Sequence, residues 1–298
     1  MTGSAPILLD GGMGRELQRR GLASVSGSWS AEALIDQPSV VRDIHKDFIT
    51  AGAEVVTTSN YAVVPFMLAR GGVEDRMEAM LAASVRLARE ARDQAGRPGV
   101  RIAGSLPPLA QSYRPELVGP PEEIEPLYRR IASVLASGVD LFLCETMSRG
   151  AEARSAAKVA AEFGKPVWVA WALDDEVTGA LRSGESPGEA VAALEGLPVE
   201  GFLFNCCVPE AVSAALPDLR AATAGLVGAY ANALAGFKSD YVMGGQGGEG
   251  GETPAREDLG PAAYAQFAEG WRALGADILG GCCGIGPDHI AELRNRLL

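Results

Sequence analysis

Short apolar runs of β-type composition alternate along the chain with longer stretches whose apolar positions recur at helical spacing. The runs fall at 6–10, 54–59, 100–105, 139–146, 166–173, 201–205, 225–230 and 276–280. Helical patterns follow them at about 30–51, 74–95, 121–137, 150–163, 187–197, 209–219, 261–274 and 287–298. Strands alternating with helices imply right-handed crossovers onto a parallel sheet. Eight such units predict an α/β chain folded as a closed (β/α)8 TIM barrel, with 1–298 forming one domain. The rival is an open doubly wound sheet, which carries G-x-G-x-x-G after its first strand. Here Asp10-Gly11-Gly12-Met13-Gly14 is Gly-rich at that place but lacks the spacing.

A barrel gives meaning to what ends each strand, because its active site is assembled at the C-terminal ends. Polar residues stand there in order: Asp10, Thr57 to Asn60, Ser105, Glu145 with Thr146, Asn205 with Cys206, Tyr230 with Asn232, and Cys282 with Cys283. Any one of them has a structural reading, since polar residues also cap helices and end strands. Their coincidence with two cysteine pairs is the informative point. Neighbouring side chains on a regular strand point to opposite faces. The glycines of Gly280-Gly281-Cys282-Cys283-Gly284 let the chain leave the strand and turn, so that both thiols face one place.

Cys206 ends the sixth run, and alternate strands feed the same interior layer of a barrel, so Cys206, Cys282 and Cys283 can converge. Spacing alone does not decide between Cys206 and Cys207, although Cys207 should point away into packing. Three thiolates leave the fourth position of a tetrahedral zinc ion open. The competing reading treats buried cysteines as small hydrophobes. It suits Cys144, inside an apolar run, better than the Gly-flanked pair. The two histidines, His45 and His289, fall in helical patterns and read as packing or surface residues, which predicts a sulfur-only Zn2+ site.

A zinc ion held by three thiolates is electron-rich and better suited to holding a fourth thiol as thiolate than to hydrolysis. That chemistry points to thiol alkylation from a sulfonium or quaternary ammonium donor, where charge cancels and a pocket of low polarity favours the step.

The remaining composition narrows the partners. The formal charge of -12 argues against nucleic acid and anionic membrane surfaces, and no run reaches the apolar length of a membrane span. The first six residues lack the basic and apolar regions of an export signal, and five cysteines with two adjacent pairs make a poor disulfide framework. A cytoplasmic location is expected. The stretch 244–253 is rich in glycine and acid and predicts a flexible loop over about 236–257, either a lid over substrate or a tolerated insertion.

The chain resembles the homocysteine S-methyltransferase family over nearly its whole length. The matching segments are 10–21, Trp29-Ser30-Ala31, 52–58, Ala103-Gly104-Ser105, Glu145-Thr146, Asn205-Cys206 and Gly280 to Gly284. The resemblance implies a zinc-dependent barrel that methylates the sulfur of homocysteine, with Cys206, Cys282 and Cys283 as ligands. It implies that Asp10 and Glu145 hold the α-ammonium group and that the Gly11 and Gly12 amides receive the α-carboxylate. Departures from the family's pattern fall at Arg15, at 104–109, at Ser59 and Asn60, and at Tyr230 and Asn232. Ser59, Asn60, Tyr230 and Asn232 are expected to line the place where donor or acceptor tail binds. The chain ends just after the eighth unit, so a small donor (a sulfonium or a betaine) is expected rather than one carried on a cobalamin or folate module. Two alternatives stay open: a family member acting on a different thiol or selenol, and a non-catalytic zinc- or thiol-sensing protein. Oligomerisation is left open.

Overall fold

The computed structural model describes residues 5–22, 29–176, 179–236 and 253–298. Eight parallel strands run in the order expected of sequential βα units: β1 (Ile7–Leu8), β2 (Val55–Thr57), β3 (Arg101–Leu106), β4 (Leu141–Met147), β5 (Val167–Trp171), β6 (Val199–Asn205), β7 (Leu226–Tyr230) and β8 (Ile278–Leu279). β1 pairs with β8, and a parallel bridge between Leu9 and Val55 joins β1 to β2. Hydrogen bonds from Glu54 N to Leu8 O (2.8 Å) and from Asp10 N to Val55 O (3.1 Å) complete that seam. The sheet therefore closes on itself, the (β/α)8 barrel that the alternation predicts.

Period-2 alternation sorts the strand residues into two cores. Leu9, Val55, Ala103, Leu141, Leu143, Trp168, Ala170, Leu203, Tyr230 and Ile278 fill the interior. Their neighbours, among them Phe142, Cys144, Val169, Phe204 and Val227, pack outward against the helices. The largest interior side chain needs a gap beside it: a Cβ at Gly201 would lie 2.9 Å from the Trp168 indole. Arg101 stacks on that indole with its guanidinium 5.1 Å from the ring centroid, covering the N-terminal end of the interior.

The strands stand where the apolar runs place them, but the helices differ in detail. The pattern at 30–51 is two helices, Trp29–Asp36 and Pro38–Ala51. Pro38 sits in the first turn of the second, where its missing N–H costs nothing, whereas within one continuous helix it would break a hydrogen bond. Two short helices, Met13–Arg19 and Pro65–Gly71, fill loops after β1 and β2 and have too few turns to show a period. The fifth crossover helix ends at Ala192 rather than 197. The Gly-rich segment proposed as a lid lies, from 237 to 252, outside the described residues. Among the described residues no helix is long and apolar enough to cross a membrane.

Candidate metal and substrate site

The three sulfurs of Cys206, Cys282 and Cys283 lie within 4.8 Å of one another at the C-terminal mouth of the barrel. Backbone geometry brings them there. Cys206 follows β6 with φ 51°, a left-handed conformation that a residue with a Cβ rarely adopts. Its N–H donates to Tyr230 O at 3.3 Å, and Cys282 N–H donates to Ala231 O at 2.9 Å, so the ends of β6, β7 and β8 are stitched together. The Tyr264 hydroxyl adds a bond across β7 and β8, to Gly280 O at 2.8 Å. The flanking glycines act in two ways. Gly284 turns the chain at φ 86°. Gly280 and Gly281 instead permit close approach, since a Cβ on them would lie 2.5 Å from Leu9 and 2.1 Å from Ile285.

The donor set fits a soft tetrahedral cation. Sulfurs bonded at about 2.3 Å to such an ion stand about 3.8 Å apart, and those of Cys206 and Cys283 are 3.7 Å apart. Three thiols this close, one buried and two half-buried, cannot all ionise on their own. Cys283 is held well below the usual thiol range by hydrogen bonds from Cys206 and Cys282, with the Arg15 cation assisting. Cys282 is pushed up, first by its hydrogen bond to Cys206 and then by that to Cys283. A metal cation removes that competition by favouring all three thiolates at once. Among the described residues this is the one cluster of potential metal ligands, and neither histidine joins it. His45 is fully buried in the outer core. His289 accepts from Gly286 N–H at 3.3 Å at the start of the last helix. Cys207 points away from the cluster into the outer core, as does Cys144.

Beside the sulfurs lie two buried carboxylates. Asp10 accepts from Thr57 N–H at 2.9 Å and from the Thr57 hydroxyl at 3.3 Å. Burial raises it to about 8 against those bonds, and Glu145 adds to the rise. Glu145, at the end of β4, accepts from the Ser105 hydroxyl at 2.5 Å. Burial raises it to about 7, opposed by that bond, with Cys283 pushing it further up. Two raised carboxyls next to one another mark a place that lacks a positive charge. The Tyr230 ring stands in the interior cluster beside Cys282, and its buried hydroxyl lies near enough to Glu145 to favour the charged carboxylate.

The remaining predicted residues are spread around this mouth. Gly11 and Gly12 let the β1 loop lie against the cysteine loop: a Cβ on Gly12 would meet Cys282 O at 2.6 Å. The Gly12 amide already donates to Ile285 O at 2.9 Å. Asn60 is fully buried; its side chain accepts from the Thr58 hydroxyl (2.6 Å) and donates to Ser105 O (3.0 Å), binding the β2 loop to β3. Ser59 is half-buried on the same turn. Asn232 accepts from Leu234 N–H at 3.1 Å, and its amide nitrogen lacks a partner among the described residues.

Four further residues matter here, three of them named from sequence only as polar strand ends and the fourth, Tyr113, not named at all. Thr57 and Ser105 hold the two carboxylates, and Asn205 holds the Glu145 strand end by accepting from Thr146 N–H at 2.9 Å. All three carried a signal, as polar residues at strand ends. Tyr113, whose hydroxyl donates to the Cys206 sulfur at 3.1 Å, lies in the loop after β3 with no periodic or motif signal. Tyr113, Thr146 and Cys206 are the non-glycine residues with positive φ among the described residues, and all three stand at this mouth. Such strain persists only where surrounding contacts over-determine it.

The pattern of the family described as Homocysteine S-methyltransferase matches residues 7–297. The homocysteine S-methyltransferase of Escherichia coli (strain K12) is 31% identical over 307 residues, covering 97% of this chain and 94% of its own. The selenocysteine methyltransferase of Astragalus bisulcatus is 29% identical, covering 97% of this chain and 91% of its own. Among solved structures, the metallated form of the homocysteine methyltransferase MmuM from Escherichia coli superposes with a TM-score of 0.81 at 29% identity, covering 98% of this chain and 96% of that one.

Proposed function

The chain belongs to the homocysteine S-methyltransferase family, and from that premise we propose that it moves a methyl group from a small sulfonium or betaine-type donor to the sulfur of homocysteine, giving methionine, with Zn2+ held by Cys206, Cys282 and Cys283. The observation that carries this reading is the convergence of three thiols within 4.8 Å beside two carboxylates raised by burial. When bound, the ion supplies the positive charge that lets a substrate thiol lose its proton near neutral pH.

The chain's own residues supply the rest. Asp10 and Glu145 receive the α-ammonium group, which restores their charged forms and gives the substrate one orientation. Thr57 and Ser105 fix the two carboxylates by donating to them. The Gly11 amide and the chain beyond it face the α-carboxylate, the Gly12 amide being engaged elsewhere. Tyr230, with Ser59 and Asn232, borders the space left for the substrate tail and the donor. Apolar interior residues beneath keep water away, which favours a step in which a thiolate and a cationic donor cancel their charges.

The likeness to a selenocysteine methyltransferase supports a second acceptor class, a selenol, at the same site. The experiment is a donor screen on protein purified under reducing conditions, with homocysteine or selenocysteine as acceptor. S-methylmethionine or another sulfonium should give methionine from homocysteine. No transfer from any sulfonium or betaine to either acceptor overturns the proposal.

A further inference from the structure

Tyr113 is unusual in its neighbours. Its ring is buried, its φ of 67° is left-handed, and its hydroxyl reaches the Cys206 sulfur at 3.1 Å. The guanidinium of Arg182, a residue from the loop after β5, lies over the ring at 5.2 Å from the centroid. Arg182 is itself paired with Asp175 at 2.9 Å, both side chains being almost wholly buried. The second oxygen of Asp175 accepts from Val208 N–H at 2.8 Å, two residues beyond Cys206. One buried carboxylate therefore holds both sides of the contact: the arginine that stacks on Tyr113, and the backbone that carries Cys206.

Charged partners are rarely placed so deep without reciprocal satisfaction, and here the satisfied end of the chain of contacts is a metal-ligand sulfur. Neither Cys282 nor Cys283 receives a tyrosine hydroxyl among the described hydrogen bonds. We propose that Tyr113 is a positioning residue that donates to the Cys206 thiolate in the metal-bound protein, fixing that ligand's orientation and drawing off part of its charge, with the Arg182–Asp175 pair setting its place. The three sulfurs are then unequal donors, Cys206 the weakest. The inference rests on the metal site proposed above.

The test uses Tyr113→Phe, which keeps the ring under Arg182 and removes only the hydroxyl. Wild type and variant are loaded with Co2+ under reducing conditions, and the sulfur-to-cobalt charge-transfer absorption is recorded. Losing a hydrogen bond raises the energy of the thiolate lone pairs, so the variant's band should move to lower energy. Its Co2+ affinity should fall by about tenfold, the low end for removing an outer partner of a metal ligand. A band at the wild-type position overturns the proposal. Replacing tyrosine throughout by 3-fluorotyrosine, a stronger donor, should shift the wild-type band to higher energy, and an unmoved band there overturns it equally, even if Tyr113→Phe does not fold. Wild type that shows no thiolate charge-transfer absorption with Co2+ overturns the metal site itself, an outcome read before any variant is compared.

Discussion

The two halves of the barrel mouth solve one electrostatic problem in different ways. On one side, β6 and β8 deliver three sulfurs through backbone geometry: a left-handed Cys206, a left-handed Gly284, and glycines that let the loops touch. On the other, β1 and β4 deliver Asp10 and Glu145, held by hydrogen bonds from Thr57 and Ser105. Both halves hold groups, Cys206 and Cys282 on one side and Asp10 and Glu145 on the other, whose charged forms are disfavoured until a cation arrives. The sulfurs lie within 4.8 Å of one another, a grouping suited to a permanent soft ion. The carboxylates keep lone pairs unspent and are raised to about 8 and about 7, a fit to a cation that comes and goes. The halves also adjoin, because Cys283 contributes to the rise of Glu145. Charge placed on the sulfur side is therefore felt on the carboxylate side.

The largest effect is expected from breaking the permanent half. Cys282→Ala removes one of three ligands, so metal content measured after dialysis should fall from about one ion per chain toward zero. Methyl transfer should fall by more than roughly 100-fold, the upper end of what losing even an outer partner costs. Retained activity in a metal-free variant would separate the sulfurs from the chemistry. The transient half should respond differently. Glu145→Gln keeps the shape and removes the charge that meets the ammonium group, worth about 1.5–3 kcal/mol for a charged hydrogen bond. The KM for homocysteine should rise by roughly 10- to 100-fold, with metal content unchanged. In wild type that KM should improve as pH rises through about 7, where the Glu145 carboxyl loses its proton, and the variant should lose that part of the profile. An unchanged KM would mean that the two halves do not divide the work as described.

The same division explains what was readable in the amino-acid sequence. The eight strands were legible because buried parallel strands are near-continuous apolar runs, and the cysteine pair because a regular strand cannot aim two neighbours at one point. The roles proposed for Asp10 and Glu145 came from family resemblance. The short helices Met13–Arg19 and Pro65–Gly71 were not legible, being too brief for a period to emerge. Nor was Tyr113, because its meaning depends on Arg182 and Asp175, far downstream in the chain, and on a φ that no motif encodes. The glycines at 11 and 12 were read for their amides, but the close approach of Gly12 to Cys282 O explains its lack of a side chain without any ligand. Residues at strand ends leave a pattern in sequence even where they act through a tertiary contact, whereas a loop residue such as Tyr113 leaves none.

The smallest expected effect comes from a group whose burial serves packing alone, and it has the opposite sign to the carboxylates. His45 is fully buried, neither ring nitrogen has a hydrogen-bond partner among the described residues, and burial lowers it to about 4. A lowered base is stable while neutral: its contribution is whole above the ordinary histidine value of 6.5 and is lost as pH falls toward about 4. That displacement corresponds to at most about 3 kcal/mol. Asp10 and Glu145, being raised acids, instead favour the fold at low pH and oppose it as pH climbs through about 8 and about 7. His45→Leu should therefore flatten the fall in melting temperature between pH 6.5 and 4 by several degrees while leaving the metal content and the KM untouched. Equal acid slopes in wild type and His45→Leu would show that the histidine escapes protonation by another route. A change in KM would show that burial in the helix layer and burial at the mouth are coupled after all.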